Sequence, residues 1–215
     1  MFEKHKEKRA EEQLAEQLGA WQHENDELTA VLQAARSRSG MATDEIMLKA
    51  GEAVFASIEH VSLVEMRSGA GHYEGHSQGV SVPIGSIHGR SVRYRVGANR
   101  GHFVQGTPTP KAVDSGKLFV TNQRLVFRGD SKTIECLFSK LIGINQQPGQ
   151  IGVSVSNRQK TTEIHYGDSL DDWINLRLGL ALAIYRGEAD DFAANIQAQL
   201  TELEAKRPTG SAATH

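Results

Sequence analysis

GKLFVTNQRLVFRGDSKTIECLF, residues 116–138, sets Leu118 and Val120 in alternation with Phe119 and Thr121, breaks at Asn122 to Arg124, and resumes apolar at Leu125 to Phe127. A period of two sends successive side chains to opposite faces of a strand, and asparagine with its polar neighbours is turn chemistry. Gly129-Asp130-Ser131 then supplies a second reversal. The expected outcome is three antiparallel strands in succession.

Working outward, the same period governs Glu52 to Tyr166, where SLVEM, GVSVPI, VRYRV, LIGIN, IGVSVS and TTEIHY are short β-branched or aromatic runs. Glycine-rich breaks, QQPGQ and NRQK separate them. This spacing predicts about eight or nine strands. QGTPTPKAVDSG, with its two prolines, reads as a loop before the central hairpin.

The flanks are helical in pattern. Residues 1–40 are dense in Glu, Lys, Gln and Ala, and Leu14, Leu18, Trp21, Asn25, Leu28, Leu32 and Ala35 recur at alternating spacings of 4 and 3. That stripe is an amphipathic or coiled-coil seam, with Asn25 as a polar core position that fixes register. Packing on its own domain and self-association fit the pattern equally. Ser37 to Gly40 reads as a hinge, and the main domain as 41–187. Ser169 is the expected cap of a helix that closes at Arg186-Gly187 with Trp173, Leu176, Leu180 and Ile184 on one face. A second helix, 188–206, carries Phe192, Ile196, Leu200 and Leu203, and 207–215 reads as a frayed tail.

Residues 114–144 resemble the bacterial relatives of pleckstrin-homology (PH) and GRAM domains. The likeness rests on Gly116, Leu118, Val120, Thr121, Asn122, Arg124, Leu125, Val126, Phe127 and Gly129 of the hairpin, then Lys140, Leu141 and Ile144. It implies an α+β fold in which a PH-like antiparallel β barrel or sandwich is capped by the helix at 169–186, without catalytic groups. Such domains bind phospholipid headgroups, peptides or proteins. Inositide-binding members cluster lysines and arginines around their first two strands; the equivalent segment here, RSGAGHYEGHSQG, offers Arg67 beside histidines.

Charge is unevenly spread along the 215 residues: between Arg90 and Lys160 there are 12 basic against 3 acidic side chains, while both ends are acidic. A basic middle is an argument about anionic partners. Its candidate contributors are Arg90, Arg93, Arg95 and Arg100, then Arg124, Arg128 and Lys132 near the central hairpin, and Arg158 and Lys160 in a later turn. Arg93 and Arg95 share strand parity, so they occupy one face. Nucleic acid is the less favoured anion, because aromatic residues for base stacking are scattered.

Other chemistry is weaker. Gly75-His76-Ser77-Gln78-Gly79 spells the serine-hydrolase elbow, which requires a strand leading in and a helix leading away. Here a strand-like run with Pro83 follows, so Ser77 is expected in a glycine loop and no catalytic residue is assigned. His72 and His76 are four apart, the spacing of one helix face, but Gly69, Gly71, Gly75 and Gly79 disfavour a helix and no cysteine joins them or His88, so the three are expected to be solvated; no cofactor is expected. GSIHGR and GANRG do not follow the order that binds dinucleotides. One cysteine, Cys136, fits a reducing compartment, and the longest apolar run, Leu178 to Tyr185, is far short of the ~20 residues that span a bilayer. A charged start without an apolar core points to the cytoplasm, with peripheral attachment to the inner face of a membrane as an extension. The expected function is a non-catalytic adaptor that presents a basic face to anionic phospholipid or an acidic protein. The alternative is an assembly subunit whose terminal helices drive homo-oligomerisation without lipid.

Overall fold

A computed structural model describes residues 2–68, 72–87, 90–104 and 108–209 of the chain. The elements run α1 (Phe2–Ser37), β1 (Val54–Ser68), β2 (His72–Ile87), β3 (Arg90–Val104), β4 (Pro108–Thr121), β5 (Arg124–Gly129), β6 (Thr133–Leu137), β7 (Leu141–Gln147), β8 (Gln150–Val155), β9 (Thr162–His165), α2 (Asp171–Arg186) and α3 (Ala189–Ala205). They divide into two units, one of Met1–Leu63 with Val113–His215, the other Val64–Ala112.

A seven-stranded sheet has the order β6-β5-β4-β1-β9-β8-β7. It consists of two antiparallel meanders, β4-β5-β6 and β7-β8-β9, joined through β1. The α+β class and its antiparallel strands are as the periodicity predicts. The central hairpin pairs Leu118 with Phe127 and Val120 with Leu125, all four at 1% exposure or less. These residues face a core that Ile151, Val153 and Ile164 of the second meander complete.

The hairpin's other face is buried too, which alternation alone does not anticipate. Phe119 and Val126 form a second apolar cluster with Val54, covered by Ile46 and Leu48. Burying two large side chains there contributes on the order of 1.5–3 kcal/mol apiece. Residues 41–52 wrap this face, pinned by backbone bonds between Met41 and Val54.

The proline-bearing stretch departs from the loop expected there, since β4 starts at Pro108. Its ladder to β5 begins only at Gly116, so Pro108 and Pro110 need donate nothing in that direction. Ser169 is not the cap of α2: a 3-10 turn, Asp168–Leu170, precedes the helix and no side chain caps it. Asp171 instead accepts the Gly149 N–H at 3.0 Å, tying the helix start to the β7–β8 turn. At the other end Gly187 adopts φ 80, the left-handed closure expected of Arg186-Gly187.

The three helices belong to the same unit as the large sheet. Ile174, Leu178 and Ala181 of α2 are buried in the main core, alongside Leu180 on the expected stripe. Leu28, Val31, Leu32 and Ala35 of α1 enter the same core, as do Ala193 and Ile196 of α3. Helices α1 and α3 run antiparallel: Arg36 donates to Gln197 at one end and Trp21 Nε1 donates to Leu203 O, 2.8 Å, at the other. The expected hinge is anchored, with Arg38 in the left-handed region (φ 51) and paired to Asp190 at 3.1 Å.

The second unit contains the two-stranded antiparallel ribbon β2–β3, with one irregularity between Pro83 and Gly85.

Candidate functional site

The polar residues of the central hairpin motif converge on one buried carboxylate. Glu52 lies at the mouth of β1 and its side chain is 0% exposed; Arg124, first residue of β5, is 5% exposed. Arg124 Nε donates to Glu52 Oε1 at 2.8 Å and Nη2 to Oε2 at 3.0 Å, while Nη2 also reaches Met47 O at 2.6 Å. Glu135 of β6 meets the remaining nitrogen at 2.6 Å. Thr121 donates to Glu52 Oε1 at 2.7 Å, and its hydroxyl accepts the Gln123 and Arg124 N–H groups. Asn122 accepts from Ala53 N at 2.9 Å and donates to Gly51 O at 3.0 Å. Burial by itself would raise the Glu52 carboxyl, but the hydrogen bonds from Arg124, the Lys49 N–H and Thr121 outweigh it and hold it below its ordinary value.

Arg124 is therefore a correction to the expected basic face. It is an internal strut that fastens residues 47–53 to the hairpin, and at 4% residue exposure it cannot meet a surface ligand. Arg128 is half exposed, but its Nη1 donates to the Glu45 backbone oxygen at 2.8 Å and lies 3.9 Å from the Glu45 carboxylate. Lys117, which the sequence did not single out, bridges Glu45 and Glu59 at 2.8 Å each, and those bonds raise its pKa while lowering that of Glu59. The outer surface of the hairpin is thus largely neutralised by acids from the wrapping segment and from β1.

Lys132 is exposed in the β5–β6 turn, a turn organised by Asp114, whose carboxylate accepts the Ser131 and Lys132 N–H groups. Arg158 and Lys160 are exposed in the β8–β9 turn, where Arg158 reaches Thr162 Oγ1 at 3.5 Å. Arg90, Arg93, Arg95 and Arg100 all lie on β3, at register positions opposite Ile87, Pro83, Ser81 and His76. Arg93 and Arg95 share one parity and Arg90 and Arg100 the other, which divides the four between the ribbon's faces. No acidic residue interrupts Arg90–Val104.

Ser77 sits within β2 opposite Asn99, in a strand rather than the expected loop, and β2 continues to Ile87 with no helix after it. A strand leads into Ser77 but continues past it in place of the sharp turn and helix of the elbow. His72 and His76 also belong to β2; His88 and Gly89 lie outside the described residues, as do Thr107 and the tail from Gly210.

On the helical side, α1, α2 and α3 enclose a groove of about 1030 Å³. Its floor is apolar, with Leu28, Trp173 and Leu176, and its rim carries Glu24, Glu27 and Asp172. Arg177 stacks 3.9 Å from the Trp173 ring and pairs with Glu27 at 2.5 Å, joining two residues of the groove's lining. Asn25 faces a separate shallow groove against Leu200 and Thr201 of α3. Of the stripe expected to form a seam, Leu28 and Leu32 are inside the core, Trp21 is bonded to α3, and Leu14 and Leu18 are partly exposed beyond it.

Among the described residues, no helix is long and apolar enough to cross a membrane. No protein-family model, curated protein or solved structure matches the chain.

Proposed function

We propose that this chain is a non-catalytic binding module of the PH/GRAM-like class that presents a basic surface to anionic phospholipid. The observation that carries this reading is the β2–β3 ribbon, whose second strand bears four arginines and no acid, inserted between β1 and the hairpin that carries the family motif. Antiparallel meanders followed directly by α2 support the PH-like assignment, as does the way Thr121, Asn122 and Arg124 spend their polar groups on holding the fold. With Arg124 internal and Arg128 engaged by Glu45, Arg93 and Arg95 of β3 become the principal binding residues, with Arg90 and Arg100 on the same strand. The module works in the cytoplasm, at the inner face of the membrane.

Each basic residue close to an anionic bilayer contributes about 1 kcal/mol, so reversing Arg93 and Arg95 together is expected to weaken binding by roughly thirtyfold or more. Co-sedimentation with phosphatidylserine-containing vesicles tests this, with phosphatidylcholine vesicles as the reference. Binding should rise with anionic lipid and fall as salt shortens the screening length to ~10 Å. Equal sedimentation with both vesicle types, or indifference to R93E/R95E, would remove the lipid reading.

A second reading rests on α1. Trp21 meets the end of α3 at Leu203, so the stripe continues through Leu18 and Leu14 past its intramolecular partner. An assembly subunit that dimerises through this extension is the alternative. Light scattering separates the two: a dimer that dissociates in L14E/L18E while lipid is ignored supports assembly over membrane binding.

A further inference from the structure

The groove between α1, α2 and α3 lies wholly in the unit that holds the large sheet. Packing the three helices leaves Trp173, Leu176 and Phe192 half-buried in its lining, beside the buried Leu28 and Ile196. Trp173 and Leu176 are one turn apart on α2, as Phe192 and Ile196 are on α3, so each helix gives the groove an apolar edge. Along α3 the lining runs from Phe192 to Gln199. At ~1.5 Å per residue this is about 10 Å, the distance between anchors i and i+7 of a docked helix.

Charge narrows the occupant. The lining holds three carboxylates, those of Glu24, Glu27 and Asp172, and no lysine or arginine. Glu27 is engaged by Arg177 at 2.5 Å, but Glu24 and Asp172 are exposed and have no ion-pair partner among the described residues. Glu24 belongs to α1 and Asp172 to α2, so the uncompensated charges stand on two of the helices that bound the groove. Such a rim repels an anionic lipid or a nucleic acid, and attracts a segment that carries lysine or arginine beside an apolar stripe. We propose that this groove docks a basic amphipathic helix of a partner protein. The partner's apolar residues at i, i+3 or i+4, and i+7 fill the floor, and its flanking cations meet Glu24 and Asp172. Helices α1 and α3 lie outside the residues that carry the PH-like resemblance, and the charge of the groove is opposite to that of β3. This inference and the anionic-surface reading can therefore each fail without the other.

The test uses the full chain and a short fluorescein-labelled helical peptide of leucine and lysine, with leucine at i, i+3, i+4 and i+7. A second peptide replaces each lysine by glutamate, and a third keeps the first composition but scatters the leucines around the helix. Fluorescence anisotropy should show binding of the first peptide, weakened by salt, and none of the other two over the same concentrations. E24K/D172K should weaken the first by about tenfold, since two attractions become repulsions, and should begin to bind the second. D44K/D130K, the same change in net charge on exposed residues of other segments, should leave the first unchanged. In the unaltered chain, which requires no variant to fold, backbone amide shifts on adding the first peptide should cluster at residues 23–28, 172–176 and 192–199. Equal binding of the scattered peptide, equal loss in D44K/D130K, no loss in E24K/D172K, or shifts that avoid the groove would each overturn the proposal. So would a parent dimer that dissociates in E24K/D172K, which would give the groove to a second copy of the chain.

Discussion

Glu52 and Arg124, 72 residues apart in sequence, meet as a bidentate ion pair inside the domain, with Arg124 Nε and Nη2 at 2.8 and 3.0 Å from the two carboxylate oxygens. Removing one member strands the other charge without its partner, which costs about 3–5 kcal/mol, more than the intact pair contributes over an apolar replacement. Arg124→Ala and Glu52→Ala should therefore each lower the urea midpoint sharply. The double substitution to leucine should recover part of that loss. A single substitution within ~0.5 kcal/mol of the parent would show the pair to be dispensable.

The same pair sets a pH dependence. Despite the opposing effect of burial, hydrogen bonds from Arg124, Lys49 and Thr121 hold the Glu52 carboxyl below 4.5 in the folded chain. A depressed carboxyl contributes stability that is fully present above the unfolded value and is lost as pH falls through the folded one. Unfolding free energy measured from pH 7 to pH 3 should thus be flat with respect to Glu52 at the upper end and fall below about 4.5. In Glu52→Gln the fall should be shallower, since glutamine binds no proton. An equal slope in both proteins would assign the acid sensitivity to other carboxylates.

The hairpin glycines and asparagine of the PH-like motif are expected to act on stability. Gly116 is paired with Gly129, and a Cβ at Gly116 would stand 2.1 Å from the Arg128 carbonyl oxygen, which backbone alone can relieve. Gly116→Ala should cost about 1–3 kcal/mol through forced displacement of β5. Asn122→Ala unpairs Ala53 N and Gly51 O, an expected loss of about 1–2 kcal/mol, and Asn122→Asp should lose less because it keeps the acceptor. Thermal melts of the three variants decide it; unchanged melting with altered vesicle binding would move the motif from architecture to recognition.

These residues also mark how far the sequence could be read. The hairpin was legible because Leu118 to Phe127 alternate over a core and Asn122 turns the chain, both local signals. Arg124 was not: a polar residue at a hairpin end reads as solvated, and its partner Glu52 is remote in sequence, before β1. Nothing in the alternation of Phe119 and Val126 announces that residues 41–52 fold over the outer face. Loop chemistry at Pro108 and Pro110 misled for a related reason, because a proline without an N–H is harmless on the β5 side of β4, where the ladder begins only at Gly116. The ribbon arginines were visible as a charge excess, but their division between two faces depends on parity along β3.

The α1 stripe was ambiguous because a helix shows the same spacing of 4 and 3 whether its apolar face meets its own domain or a second copy. The structure divides it by position. Leu32 is 6% exposed within the main core, so Leu32→Ala should cost about 2–5 kcal/mol, read as a lower urea midpoint at any protein concentration. Leu14 and Leu18 lie beyond the Trp21–Leu203 contact, so L14E/L18E should leave the midpoint within ~0.5 kcal/mol at high dilution, where a monomer prevails. If α1 also joins two chains, the parent's midpoint should rise with concentration by mass action while that of L14E/L18E stays constant. A midpoint independent of concentration in both would confine the stripe to its own domain. Deleting residues 1–40 cannot make this distinction, because it removes Leu28, Val31 and Ala35 from the core together with the extension.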